Sequence, residues 1–341
     1  MKTVFVGLSG GVDSAVSAYL LKKQGYNVVG AFIKAWEPDF LPCTGAEDKL
    51  SAMRVAAHLE IPFVSYDLSE EYKRDVVDYF VAEYKAGRTP NPDVMCNRVI
   101  KFGAFWEQAQ TDGADCIATG HYAINKKVES EWKLGISKDI EKDQTYFLWT
   151  LRQNDLVHTL FPVGAMKKSE VRVIAKQARL PNALRKDSQG LCFLGHVDMA
   201  EFLKRYIPSE RGIVRNEQGE AVDEHEGAVF YTLGQHINIG GAPVRRFVVG
   251  KDIVKNELIV SSEQLGEHPS KELHILNASW VSDTAPEGKV LLRYRYRQPL
   301  FPAVLEGNVL MLQEPQLVAS GQSVVLYALN NNECLGGAIA A

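Results

Sequence analysis

The chain has 341 residues, 46% of them hydrophobic and 23% charged, with a formal net charge of −4. That composition allows cores for two or three domains and excludes a disordered chain or one basic over its whole surface, though not a local basic groove. No run approaches the ~18 apolar residues of a membrane span.

Met1-Lys2-Thr3 leads into a strand-like run with no signal-peptide pattern. Cys43, Cys96, Cys116, Cys192 and Cys334 are far apart and form neither a disulfide framework nor a CxxC metal site. The expectation is a cytoplasmic protein with reduced thiols. In chain order, apolar runs at 4–6, 28–33, 61–66 and 116–119 predict strands. Helical spacing predicts helices over 14–24, 46–59, 71–84 and 98–110, with Gly25 closing the first and a later helix over 169–178 capped by Ser169. This alternation implies an α/β domain: a mainly parallel sheet with helices on both faces and its ligand at the carboxyl ends of the strands.

After about residue 205 the pattern changes. Short β-rich runs at 228–232, 244–249, 258–261, 273–280, 290–296, 303–306, 309–313 and 323–328 are separated by Gly, Pro and polar turns. The division expected is 1–200 for the parallel-sheet domain, 201–267 for a small β-rich domain and 268–341 for a β-barrel.

The segment Gly7-Leu8-Ser9-Gly10-Gly11-Val12-Asp13-Ser14 lies where the first strand, a glycine turn and a helix start coincide. Exposed backbone N–H groups and the positive end of the helix make such a turn an anion cradle. It lacks the Lys-Ser/Thr of a Walker loop and the spacing of a dinucleotide fingerprint. SGGVDS instead resembles the pyrophosphate loop of enzymes that split ATP into AMP and pyrophosphate.

Four more segments carry chemistry. In Thr89-Pro90-Asn91-Pro92-Asp93-Val94-Met95-Cys96-Asn97 two prolines stiffen a loop before a helix, which sets Cys96 near a helix N-terminus and Asp93 close by as an acid or base; taken alone, the segment reads more readily as a buried loop cysteine beside a solvated aspartate. Cys192 lies between glycines in 187–195, as a sulfur carrier or a small core residue. Thr119-Gly120-His121-Tyr122 ends a predicted strand, and 141–146 is a charged helix start or a solvated cap.

SGGVDS, NPDVMCN, TGHY, KDQTYFL, GLCFLG, YTLGQ, RYRQP and GQSVV, in this order over residues 3 to 338, resemble the bacterial tRNA-specific 2-thiouridylases. The resemblance implies an enzyme that activates O2 of the wobble uridine in tRNAs for Lys, Glu and Gln with ATP and then replaces it with sulfur. Residues 7–14 would hold the phosphates with Mg²⁺, Ile33 would wall the adenine, and Gly120 would approach the nucleotide. Cys192 would carry a persulfide received from a sulfur-relay protein or cysteine desulfurase. Cys96 would be the partner thiol, freeing sulfide through a disulfide or helping to deliver sulfur directly, and Asp93 the acid/base. Asn91, Pro92 and Asp93 would touch the target base, and His121, Lys142, Asp143, Gln144, Arg295, Tyr296 and Gln322 the tRNA. If Arg293-Tyr294-Arg295-Tyr296-Arg297 runs as a strand, the three arginines would share one face and the tyrosines the other. Two alternatives stay open: another pyrophosphate-loop ligase, which needs neither cysteine, and an RNA-binding protein without catalysis.

Overall fold

The computed structural model describes residues 1–40, 45–186, 199–238, 245–264, 269–329 and 333–341. Cys43 and the whole 187–195 motif with Cys192 lie outside them.

The N-terminal domain is built on five parallel strands, β1 (Thr3–Gly7), β2 (Asn27–Lys34), β3 (Phe63–Asp67), β4 (Cys116–Ala118) and the short β7 (Thr159–Leu160), in the order β3-β2-β1-β4-β7. β1 alternates as a doubly covered strand must. Val4 and Val6 pack with the helix Val12–Lys23 through Val16 and Leu21, while Phe5 joins the cluster on the other face with Val76, Phe80, Ile100 and Phe105. That second face is covered by two long helical runs, 69–85 and 92–111, each containing a wider turn, Lys73–Asp78 and Cys96–Ala104.

Between β4 and β7 the chain forms a hairpin, β5 (Ala123–Val128) and β6 (Glu131–Ile136), turned at Glu129 with φ +55°. It leaves the parallel sheet and pairs with the far end of the chain, Leu134 opposite Cys334. The middle sheet runs β10-β11-β12-β8-β9, from β8 (Gly212–Asn216), β9 (Ala221–His225), β10 (His236–Ile237), β11 (Arg246–Asp252) and β12 (Glu257–Ser261). Its small core is Val214, Ala228, Val248, Leu258 and Val260.

The last six strands, β13 (Ser270–Trp280), β14 (Gly288–Arg293), β15 (Phe301–Glu306), β16 (Val309–Gln316), β17 (Ser323–Tyr327) and β18 (Glu333–Ala340), are antiparallel neighbours in the order β13-β16-β15-β14-β17-β18. Pairing of β13 with β18 closes the barrel. All five β17 residues are buried because both of its faces are covered. Val324 and Leu326 fill the barrel, and Val325 and Tyr327 pack into the N-terminal core.

Four expectations need correction. Residues 228–232 do not form a strand: Gly227, at φ +141°, leads into a single 3₁₀ turn at Ala228–Phe230. The charged segment 141–146 is not a helix start but a turn followed by a short 3₁₀ helix at Thr145–Phe147. Ser169 is not an N-cap; the helix is Lys168–Gln177, and Glu170 accepts a hydrogen bond from the preceding Lys167 amide at 2.6 Å. Finally, β14 stops at Arg293. The Gln298 side-chain oxygen accepts from the Tyr294 and Arg295 amides at 3.0 and 3.1 Å, and Arg297 adopts φ +63°. The three arginines therefore share no strand face.

Candidate active site

The glycine turn is shaped by its own hydroxyls. Ser14 Oγ donates to the Gly11 carbonyl at 3.1 Å and lies 3.3 Å from Ser9 Oγ. Gly10 takes φ +75°, which a side chain would strain. The carbonyls are drawn outward: Asn182 Nδ2 donates to Gly10 O and Gly11 O at 2.8 and 3.0 Å, and Ser51 Oγ to Gly10 O at 2.9 Å. Arg185 also donates to Gly10 O while paired with Asp48. Tying down the carbonyls leaves the amide side of the turn to face a ligand. The helix that follows, Val12–Lys23, has no side-chain cap at its N-terminus, so its first N–H groups are open to an anion.

Gly120 lies against this helix start. A Cβ there would be 2.7 Å from the Ser14 nitrogen and 2.9 Å from the Asp13 carbonyl carbon, both backbone atoms that cannot yield. Asp13 accepts from Tyr122 Oη at 2.9 Å and from Lys168 Nζ at 2.8 Å. Ile33, half-buried near the carboxyl end of β2, pairs with Tyr66 of β3 at the same sheet edge.

His121 faces the other way. It is buried, its Nδ1 is 2.8 Å from Thr119 Oγ1, and its ring lies 5.8 Å from that of Phe102. Burial, reinforced by the nearby Lys101 charge, pulls its pKa well below the ordinary value and keeps the imidazole neutral. Lys101 in turn donates to Asn97 Oδ1 at 2.9 Å, and Asn97 Nδ2 to Phe147 O at 3.0 Å. The Thr119–Tyr122 segment thus touches the glycine turn through Gly120 and Tyr122 and the cysteine helix through His121.

That helix starts inside the proline motif rather than after it. Asn91 is the N-cap, its Oδ1 accepting from the Asp93 and Val94 amides at 3.1 and 3.3 Å, with Pro92 at the first helical position where it costs no hydrogen bond. Cys96 falls one turn in and is buried, while Asp93 is half-exposed. The loop before it is held by both other domains: the Thr89 amide donates to Ser320 O of the barrel at 2.8 Å, and Thr89 Oγ1 is 3.2 Å from Thr232 Oγ1 of the middle domain. Cys116 and Cys334 are buried thiols whose pKa burial raises, for Cys334 to about 12.

The residues expected to meet RNA divide into two kinds. Asp143 is a correction: it is 1% exposed, and its carboxylate accepts from the Ser137 amide, Thr145 Oγ1 and Arg293 of the barrel. Those bonds occupy it as a joint between domains, and its side chain has no surface to offer RNA. Gln144 is tied to Tyr122 by two hydrogen bonds, 2.8 and 2.9 Å, and Lys142 is half-exposed beside it. Arg295 lies against Gly234, where a Cβ would come within 2.6 Å of its guanidinium. Tyr296 packs on Phe147 with ring centres 4.7 Å apart. Gln322 keeps a buried side-chain oxygen with no hydrogen-bond partner among the described residues, a desolvated acceptor suited to a ligand donor.

Three family models match in succession: tRNA methyl transferase HUP domain over residues 2–196, tRNA methyl transferase PRC-barrel domain over 200–262, and Aminomethyltransferase beta-barrel domain over 270–340. Over 98% of its length the chain is 44% identical to tRNA-specific 2-thiouridylase MnmA 2 of Geobacillus kaustophilus (strain HTA426), of which it covers 93%. Identity and coverage are the same for the tRNA-specific 2-thiouridylase MnmA of Listeria monocytogenes serotype 4a (strain HCC23). The chain belongs to the tRNA-specific 2-thiouridylase family.

In this thiouridylase-family chain several groups that build the site gave no signal in the sequence. Lys168, Asn182, Arg185 and Ser51 lie 37 or more positions from the glycine turn and meet it only through the fold; Ser51 falls in the predicted 46–59 helix and Lys168 just before the predicted 169–178 helix, but neither was expected to reach the turn. Among the described residues no cluster of His, Cys, Asp and Glu is arranged to hold a metal, and no helix is long and apolar enough to cross a membrane.

Proposed function

We propose that the chain is a tRNA-uridine 2-sulfurtransferase acting on the wobble uridine of tRNAs for Lys, Glu and Gln, with ATP as the activating substrate. The observation that carries this reading is the bridge formed by Thr119–Tyr122. Its glycine lies so close to the phosphate-type turn that a Cβ there would come within 2.7 Å of the Ser14 nitrogen, and its histidine packs on Phe102 of the helix that holds Cys96. An anion cradle and a thiol-bearing helix joined through one short segment suit a reaction that activates an oxygen and replaces it with sulfur.

The turn fits ATP. The uncapped helix start and the Gly120 contact leave room for phosphate and none for a side chain. Asp13, the carboxylate of the loop, would hold Mg²⁺ in exchange for its Lys168 contact, and the ion would supply neutralisation of phosphate charge. Uridine O2 attacks the α-phosphorus, pyrophosphate leaves, and the C2–O bond is primed to break with AMP as leaving group. Asn91, Pro92 and Asp93 would grip the flipped base in the stiffened loop, with Asp93 handling its proton. Sulfur comes from a persulfide on Cys192, loaded by a cysteine desulfurase or relay protein. In one route the Cys96 thiolate attacks the inner sulfur, releasing hydrosulfide and leaving a Cys96–Cys192 disulfide that a thiol reductant must reopen. In the other the terminal sulfur attacks C2 directly, and the Cys96 thiolate then attacks the Cys192 sulfur, breaking the S–S bond to free the 2-thiouridine and leaving the same disulfide for a thiol reductant to reopen. Either sulfur displaces AMP.

A methyl transfer, suggested by the wording of two family descriptions, calls for no phosphate cradle, and the built turn weighs against it. The test is pyrophosphate release from Mg-ATP with unmodified tRNA for Glu. Release that requires the tRNA and disappears when the wobble uridine is changed to cytidine supports the proposal. Release indifferent to tRNA, or none, overturns it.

A further inference from the structure

A cavity of about 620 Å³ lies on the seam between the 92–111 helical run, the segment 150–158 and strand β13. Its volume is in the range of sites that hold a nucleotide-sized ligand. Arg98 and Arg152 line it, and Trp106 forms one wall, stacked on His158 with ring centres 3.8 Å apart and planes 8° from parallel. Thr150 is 7% exposed and its Oγ1, like His158 Nε2, is a buried atom with no hydrogen-bond partner among the described residues. Leaving such groups desolvated and unpaired is unfavourable, and a ligand that bonds to them removes the penalty. The acidic groups facing the cavity are Glu107, exposed on its wall, and Asp155, which already accepts from the Arg152 amide at 2.8 Å.

Two guanidinium groups, an orphaned hydroxyl, an orphaned ring nitrogen and an aromatic wall together match one ligand chemistry: phosphate, sugar or base edge, and a planar base. A protein partner would favour an apolar centre, which this cavity lacks. Phe102, in the same wall, places its ring beside His121, so the cavity adjoins the proposed active site from behind the cysteine helix. We propose that it receives a nucleotide of the bound tRNA other than the target uridine, its phosphate held by Arg98 and Arg152 and its polar edge by Thr150 and His158. This rests on the tRNA substrate proposed above.

The test is binding of unmodified tRNA-Glu transcript to the full chain, by filter retention, between about 50 and 200 mM KCl. The wild type is compared with an Arg98→Gln, Arg152→Gln double variant and with the Lys,Lys double variant. Losing two phosphate contacts should weaken binding about tenfold and flatten the salt slope by roughly 1.4, at about 0.7 per contact on single-stranded RNA, and the lysine pair should restore the slope. A Gln,Gln slope equal to that of the wild type overturns the inference, whatever happens to the affinity, because a structural defect leaves the slope alone. Failure of the wild type itself to bind the transcript would instead overturn the proposed function, and this inference with it.

Discussion

The Arg293 guanidinium, on the last residue of β14, donates to the Asp143 carboxylate of the N-terminal domain, and both side chains are almost wholly buried at 6% and 0% exposure. Tyr327 Oη, accepting from Arg293 at 2.7 Å, and Thr145 Oγ1 complete the network. Removing one partner strands the other charge in the interior. Asp143→Ala should therefore lower unfolding free energy by about 3–5 kcal/mol. An Asp143→Leu, Arg293→Met pair should recover much of that loss. Urea denaturation checks both, and an Asp143→Ala midpoint equal to that of the wild type would contradict the account.

Gly120→Ala tests the cradle. The added methyl meets backbone of the helix start rather than a side chain, so relaxation must move the turn. Overpacking of this kind costs about 1–3 kcal/mol. The expected result is at least a tenfold rise in KM for ATP with a smaller change in Tm, read by pyrophosphate release and calorimetry.

Gly321→Ala tests the hold on the proline loop. Gly321 has φ +88°, and a Cβ there would lie 2.8 Å from the Thr89 nitrogen. The substitution should loosen the Thr89–Ser320 bond and misplace Asn91, Pro92 and Asp93, lowering kcat more than it lowers stability. Normal kcat would show that barrel docking does not position that loop.

The pH dependence follows from two buried histidines, His121 and His225, and the half-buried His158. His121, His158 and His225 all have pKa values lowered by burial. The unfolded chain, with histidine near 6.5, then binds more protons than the folded one, so stability is full above that pH and falls as pH drops below it. Asp67, pushed down to about 2 by its hydrogen bond to Lys34, adds its loss only below the ordinary carboxylate range. Tm should fall between pH 7.5 and 5.5, and less steeply in His121→Gln. A flat profile in the wild type would contradict the burial argument.

What could be read from the residues alone was local. Strand, glycine turn and helix start in 4–14 follow from adjacent residues, and so does the parallel alternation of the first domain. The β5–β6 hairpin was missed because Asn125-Lys126-Lys127 and Glu129-Ser130-Glu131 look like a solvated loop; its order depends on β18, some two hundred positions away. Arg293 was misassigned for a related reason. Period two predicted a common face with Arg295, but Gln298 turns the chain and a buried acid from another domain waits for the guanidinium. Asp143 looked like a surface charge because its partner lies 150 positions away. The roles of Asp93, Cys96 and Cys192 came from the family resemblance. Among these, the structure adds the cap at Asn91 and the burial of Cys96.

The proposed two-cysteine chemistry is separable from the other buried thiols. Cys96→Ala and Cys192→Ala should each abolish thiolation. Cys116→Ala should retain it, since burial keeps that thiol protonated.

The most direct measurement is sulfur incorporation into unmodified tRNA for Glu by the purified protein with Mg-ATP and a persulfide donor, read as retardation on a mercury gel. The account predicts an ATP-dependent retarded band that is lost when the wobble uridine is replaced. No retarded band, with a donor shown to be active on its own acceptor, would contradict it.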